Sequence, residues 1–171
     1  MSDATVDDNP NAEVAVIDGG PLKGLAATPA RSASAASMRC VAAKDREGWL
    51  ALFAEDALVE DPVGPSPLSP EGTGHRGRDA IGAFWDMTIA LIDVEFDIRG
   101  SYSAGNECAN VGVIHSRLPG GMSMHTEGVF TYVLDDEGLL SNLRAHWDFG
   151  AAMATLAAAA DTTTPDQRAQ A

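Results

Sequence analysis

Two pairs of carboxylates stand close together in the stretch "FAEDALVEDPVGPSP", residues 53–67. Glu55 and Asp56 form one pair, and Glu60 and Asp61 form the other, directly before a proline. A carboxylate that is partly withdrawn from water holds its proton more tightly, so its pKa rises and it becomes a better general base near neutral pH. Aspartate before proline is also typical of a turn. The local sequence alone therefore favours a turn residue at Asp61 and leaves a general base as the alternative.

Three segments near this stretch have the pattern of helices. The first, "TPARSASAASMRCVAAKD", is rich in alanine and weakly amphipathic. The second, "DREGWLALFAEDA", has an apolar stripe behind Asp45 as its N-cap. The third, "GRDAIGAFWDMTIALI", is the clearest, because its apolar residues recur at spacings of three and four. It is expected to lie on an apolar surface.

Strand patterns supply that surface. The segments are "VEFDIRGSY", "ECANVGVIHSRL", "MSMHTEGVFTYVL" and "LLSNLRAHWDF", and turn residues separate the last three. Helices followed by a strand meander predict an α+β fold, with the helices against one face of a curved antiparallel sheet. Because "EGVFTYVL" is apolar on both faces, the other face also needs a cover. We expect a homodimer that forms through the sheet.

The two ends of the chain differ from its middle. Residues 1–30 are acidic and lack a helical period, so they are expected to form a flexible acidic arm, in which "EVAVI" can pair as an edge strand. Residues 151–171 form an Ala-rich tail. The single globular domain is expected over residues 31–150.

Composition excludes several classes of partner. The formal net charge is −14, with 25 acidic residues against 11 Lys and Arg, so nucleic acid and anionic membranes should be repelled. Cys40 and Cys108 indicate no disulfide framework and are expected to be buried thiols in a reducing, cytoplasmic compartment. No apolar run is long enough to span a bilayer. The four histidines lack the spacing of a zinc site, and no metal is predicted.

Residues 30 to 150 resemble a known family. The run "LFAEDALVEDPVGPSP", the helix "GHRGRDAIGAFW" and the later "VFTYVLDDEGLLSNLRAHW" are similar to the ketosteroid isomerase branch of the nuclear transport factor 2-like superfamily, which includes the SnoaL-like polyketide cyclases. The resemblance implies a cone, in which a curved sheet wraps around helices and encloses a deep apolar pocket. It also implies a hydrophobic small-molecule ligand, such as a steroid or a polyketide, and no cofactor.

The resemblance also implies which residues contact the ligand. Asp61 falls on the general base of the isomerases, which moves a proton between carbons of a steroid enone. A gapless count along the chain gives the other positions that face the pocket: Ser37, Val113, His115, Thr126, Gly128, Phe130, Tyr132, Leu143, Ala145 and Trp147. The aromatic residues and His115 are equally compatible with plain packing roles.

The chain departs from the isomerases at their oxyanion hole. Their tyrosine on the first helix falls on Ser37, and their protonated aspartate on a late strand falls on Phe130. One such donor contributes about 3 kcal/mol to barrier lowering, so we expect weak isomerase activity unless His115 or Tyr132 replaces the donor. Two functions stay open, a cofactor-free proton-transfer isomerase and a non-catalytic binding or dimeric interaction module. A third, epoxide hydrolysis, would need paired carboxylates around a water.

Overall fold

The computed structural model describes residues 15–158. The α-helices are α1 (Pro29–Ala43), α2 (Arg46–Ala51), α3 (Arg78–Met87) and α4 (Phe149–Ala154), and short 3-10 helices cover Gly20–Leu22 and Ile89–Leu91. The strands are β1 (Phe53–Glu60), β2 (His75–Arg76), β3 (Asp93–Ala104), β4 (Glu107–Leu118), β5 (Met122–Leu134), β6 (Leu140–His146) and β7 (Ala157–Ala158). Helices come first and the meander later, so the predicted α+β class is confirmed.

One sheet holds all the strands. Its order is β2-β1-β6-β5-β4-β3, and β7 pairs with β5. The meander from β3 to β6 is antiparallel throughout, as predicted. However, β1 pairs with β6 in parallel, so the sheet is mixed rather than purely antiparallel. A parallel pair arises because the chain crosses through α3 between β1 and the meander.

The second predicted helix is shorter than its pattern indicated. The side chain of Asp45 caps α2 by accepting a hydrogen bond from the Gly48 amide at 2.9 Å, as expected. The helix ends at Ala51, and the "FAEDALVE" that follows is strand β1. Ala57 and Val59 are buried at the two-residue period of a strand, which overrides the helical stripe.

Part of the predicted acidic arm is packed. Residues 1–14 lie outside the described residues, but Ile17 and Leu22 are buried in a small cluster with Ala35 and Met38 of α1. Leu22 keeps only 1% of its surface exposed. The prediction of flexibility is therefore wrong for the segment from residue 15 to α1, because two apolar side chains hold it against the domain.

The first part of the predicted tail is also structured. It forms the end of α4, whose N-cap is Asp148, and then β7, which pairs with Met122 and Ser123 of β5. The remainder, from residue 159, lies outside the described residues. Both cysteines are free thiols, but only Cys108 is fully buried, and Cys40 is partly accessible.

Candidate functional site

A cavity of about 400 Å³ lies between the helices and the inner face of the sheet. Its walls come from α1, α2, β1 and the segment that follows it, α3, the 3-10 turn after α3, strands β3 to β6 and α4. Most of the lining is hydrocarbon or aromatic. The polar side chains on the wall are those of Ser37, Asp61, Thr88, Ser116, Thr126, Tyr132 and the indole of Trp147. Such a cavity suits a hydrophobic ligand with a few oxygen atoms.

The parallel pairing of β1 and β6 brings Asp61 into this cavity. Glu60, the last residue of β1, is paired with Arg144 of β6, and Asp61 follows directly after it. Side chains alternate along a strand, so Glu60 and Asp61 face opposite sides. Glu60 forms an ion pair with Arg144 at 2.5 Å, whereas Asp61 lines the cavity. Asp61 is the one carboxylate on the cavity wall among the described residues.

Trp147 holds the Asp61 carboxylate. Its indole Nε1 donates a hydrogen bond to Asp61 Oδ1 at 2.6 Å. Burial raises the pKa of Asp61 from 3.8 to about 6, and the hydrogen bond from Trp147 opposes part of that rise. A carboxylate with a pKa of about 6 is mostly ionised at neutral pH but is a stronger base than an ordinary aspartate.

Gly128 allows Trp147 to come so close. A Cβ atom on Gly128 would lie 2.5 Å from the His146 carbonyl oxygen and 3.1 Å from Trp147 Cβ. Any larger residue at this position would push the end of β6 away from β5. Gly128 therefore helps to position the Trp147 indole, and the indole in turn positions the Asp61 carboxylate.

Tyr132 and Ser37 lie at the inner end of the cavity. Burial raises the pKa of the Tyr132 phenol, the nearby Asp61 charge raises it further, and the adjacent Ser37 hydroxyl opposes the rise. The phenol is therefore protonated at neutral pH and can donate a hydrogen bond. Ser37 is buried and accepts a hydrogen bond from Trp49 Nε1 at 2.9 Å. The indole thus fixes the Ser37 oxygen beside Tyr132.

The other predicted positions divide into two groups. Phe130, Leu143, Ala145 and Thr126 line the cavity, together with Ser37, Asp61, Tyr132 and Trp147. Val113 and His115 do not line the cavity, so this part of the prediction is wrong, and Gly128 is not among the lining residues either. Instead, Ile114 and Ser116 face the cavity from β4, and His115 packs against His125 with ring centroids 4.7 Å apart.

The register explains this error. Directly paired residues share a face, and Asn110 pairs with Phe130 while Ile114 pairs with Thr126. Even-numbered residues of β4 therefore face inwards. The gapless count ran through the hairpin between β4 and β5, whose length is not fixed by alternation, and a shift of one residue reverses every side chain.

The residues at the outer end of the cavity were not predicted from the sequence. Met87, Leu91 and Met153 line the cavity and are largely exposed, at 60%, 59% and 42%. Phe149 of α4 also lines it and stacks with Trp147, with ring centroids 5.9 Å apart. These residues belong to the end of α3, to the 3-10 helix that follows it and to α4, and the position of these elements over the sheet depends on tertiary packing.

The family follows from a comparison of sequences. The model of the SnoaL-like domain matches residues 35–142. This chain is a member of the SnoaL-like domain family. None of the curated proteins compared with this family member matches it.

Three of the solved structures similar to this SnoaL-like protein are related to steroids. A Δ5-3-ketosteroid isomerase from Mycobacterium sp. is 39% identical, with a TM-score of 0.70, over 77% of this chain and 98% of the isomerase. A Mycobacterium tuberculosis protein in complex with estradiol-17β-hemisuccinate is 40% identical, with a TM-score of 0.69, over 77% and 99%. A computationally designed 17-OHP binder is 38% identical, with a TM-score of 0.70, over 77% and 98%. The predicted cone of the nuclear transport factor 2-like fold is confirmed.

The described residues also bear on metal binding and membrane insertion. Within residues 15–158, no three His, Cys, Asp or Glu side chains are grouped so that they could hold a metal ion. Over the same residues, no helix has the length and apolar character needed to cross a bilayer.

Proposed function

We propose that this protein is a cofactor-free isomerase that moves a proton next to a carbonyl group of a steroid-like ligand, with Asp61 as the general base. The observation that carries the proposal is a single carboxylate, with its pKa raised to about 6, on the wall of an otherwise apolar cavity. The 39% identity to a Δ5-3-ketosteroid isomerase supports it.

The proposed reaction needs one base and one donor. Asp61 takes a proton from the carbon next to the carbonyl, and the C–H electrons move towards the carbonyl oxygen to give a dienolate. Tyr132 donates a hydrogen bond to that oxygen, where the negative charge develops. The protonated Asp61 then returns the same proton to the carbon at the other end of the dienolate, which yields the conjugated enone and the free carboxylate.

Tyr132 is proposed as a substitute for the missing oxyanion donors. The short Ser37 leaves space at the inner end of the cavity, and the neutral phenol of Tyr132 lies beside it. Phe130 offers no second donor, so the negative oxygen of the dienolate is stabilised by one hydrogen bond, from Tyr132, in place of two. We therefore expect slower turnover than an isomerase with both donors, by about 100-fold for one lost donor.

A binding role without catalysis is the second candidate. Two residues favour it, because the resemblance assigns them to the positions of the two oxyanion donors. Ser37 is a shorter donor than tyrosine, and Phe130 has no hydrogen-bond donor. A binder needs the apolar cavity but no donor opposite Asp61. The similarity to a computationally designed 17-OHP binder is compatible with this role.

The two candidates are separated by measuring turnover and binding together. Conversion of a Δ5-3-ketosteroid is followed by the absorbance of the conjugated enone, and binding is followed by quenching of tryptophan fluorescence with equilenin. Binding with turnover supports the isomerase. Saturable binding of equilenin without turnover above the buffer rate contradicts the isomerase and supports the binding role.

We also propose a homodimer through the outer face of the sheet. Val111 and Val129 are direct partners on that face, and Val111 is 38% exposed. Light scattering at micromolar concentration should give twice the mass of the chain, and Val111→Glu should give the monomer because it would bury a charge. A wild-type monomer would refute the dimer. The cytoplasmic location expected from the free thiols stays a prediction.

A further inference from the structure

Two hydroxyl groups interrupt the hydrocarbon wall on the sheet side of the cavity. They belong to Ser116 of β4 and Thr126 of β5, whose residues are only 3% and 4% exposed. The side chains around them on the wall are Ile114, Leu118 and Met124. A hydroxyl in an apolar wall needs a hydrogen-bond partner, which water or a ligand in the cavity can supply.

The register places the two hydroxyls on one patch. Thr126 pairs with Ile114, and Ser116 pairs with Met124, so Ser116 and Thr126 are diagonal neighbours on the same face. Diagonal neighbours are about 7–8 Å apart at their Cα atoms, and their side chains are closer when both point into one space. Neither hydroxyl is hydrogen-bonded to another residue within 15–158, and neither is sealed from the cavity. Both are therefore available to a molecule in the cavity.

This patch lies beyond Asp61 as seen from Tyr132. Tyr132 and Thr126 share the inner face of β5 and are six residues apart, which corresponds to about 20 Å between their Cα atoms. Gly128, between them, contacts Trp147, the hydrogen-bond partner of Asp61. Along the direction of β5, Asp61 therefore lies between Tyr132 at one end of the cavity and the two hydroxyls of Ser116 and Thr126 towards the other end.

We propose that Ser116 and Thr126 form a second polar subsite, which binds a hydroxyl or carbonyl oxygen at the far end of an elongated hydrocarbon ligand. The near end of that ligand is the carbonyl held by Tyr132, so the inference rests on the proposed function. It narrows the ligand class to rigid, steroid-length molecules with an oxygen at both ends. Ligands with one oxygen would leave the two hydroxyls without a partner other than water.

The test compares two steroids that differ only at the far end. Testosterone carries a distal hydroxyl, and androst-4-en-3-one lacks it. Thr126→Val keeps the shape of the side chain and removes its hydroxyl, so it should weaken testosterone binding by about 2- to 10-fold, the value of one neutral hydrogen bond. Binding of androst-4-en-3-one should change by less than about 2-fold. Ser116→Ala should act in the same way, and the double variant more strongly.

Thr131→Val is the matched control. Thr131 lies on the outer face of β5, where its hydroxyl donates to the Arg144 carbonyl oxygen at 3.3 Å, so this variant should leave both affinities unchanged. Equal effects of Thr126→Val and Ser116→Ala on the two steroids, or no effect, would overturn the subsite while the proposed function stands. If the wild-type protein binds neither steroid, the proposed function and the subsite are both wrong.

Discussion

Asp61→Asn should make the protein more stable and less active at the same time. In the folded protein, burial raises the pKa of this carboxyl from 3.8 to about 6, which corresponds to about 3 kcal/mol at 1.36 kcal/mol for each pH unit. The folded state therefore holds a proton that the unfolded chain releases between about pH 4 and pH 6. Stability is lost as the pH rises through that window, and above pH 6 the folded protein contains an unfavourable buried charge.

Asparagine removes the charge and keeps an oxygen that accepts the Trp147 hydrogen bond. The variant should raise the free energy of unfolding at pH 8 by about 1–3 kcal/mol, since the Asp61 side chain is only half-buried and water in the cavity reduces the full value. Below pH 4 the difference should vanish, because the carboxyl is then neutral in both states. Urea unfolding monitored by circular dichroism at the two pH values measures this difference.

Turnover gives the second half of the test. A general base contributes about 10²- to 10⁴-fold, so Asp61→Asn should lower kcat by that factor. The wild-type kcat/KM, which follows the pKa of the ligand-free protein, should rise with pH to a plateau with its midpoint near 6. Asp56→Asn is the control. Asp56 is an exposed carboxylate of β1, so this variant should change neither kcat nor the free energy of unfolding. Unchanged turnover of a Δ5-3-ketosteroid by Asp61→Asn, or unchanged stability at pH 8, would refute the buried base.

Three further substitutions test the groups around the base. Tyr132→Phe should lower kcat about 100-fold with little change in KM, as expected for an oxyanion donor; an unchanged kcat would exclude that role. Trp147→Phe removes the hydrogen bond that favours the charged carboxylate, so the midpoint of the pH profile should rise above 6, by about one unit; a fall would contradict the assigned sign. Phe130→Asp should raise kcat, because a protonated aspartate adds a second hydrogen-bond donor, and it should lower the melting temperature, because it buries a polar group. Slower turnover would contradict this donor role, as expected if the new aspartate is ionised.

The meander could be predicted from the sequence because its signals are local. Strands β4 and β5 span the predicted segments, since turn residues mark both of their ends. Asp61 could be recognised only through the resemblance, because the residues alone favoured a turn. The shorter helix α2 and the strand β1 were not predicted, since the buried alternation in β1 depends on pairing with β6, which is far away in the sequence.

A gapless residue count could not show which side chains of β4 point towards the helices. Alternation fixes which residues share a face, but it does not fix which of the two faces meets the helices. For Val113 and His115 the choice depended on the hairpin before β5, and the register settled it in favour of Ile114 and Ser116. The same register places Ser116 and Thr126 on one face. The proposed subsite for the far end of the ligand could therefore not be predicted from the sequence either, because it depends on the same pairing of β4 with β5.

The strength of the base and the cost to stability have a common cause. Deeper burial would raise the pKa of Asp61 above 7, and the carboxyl would then be protonated and unable to accept a proton at neutral pH. A solvated carboxylate would be ionised but weak. The hydrogen bond from Trp147 Nε1 offsets part of the desolvation, and so the pKa comes to about 6. Because Gly128 is what lets the indole approach, Gly128→Ala should disturb the pKa of Asp61 without touching the carboxylate itself.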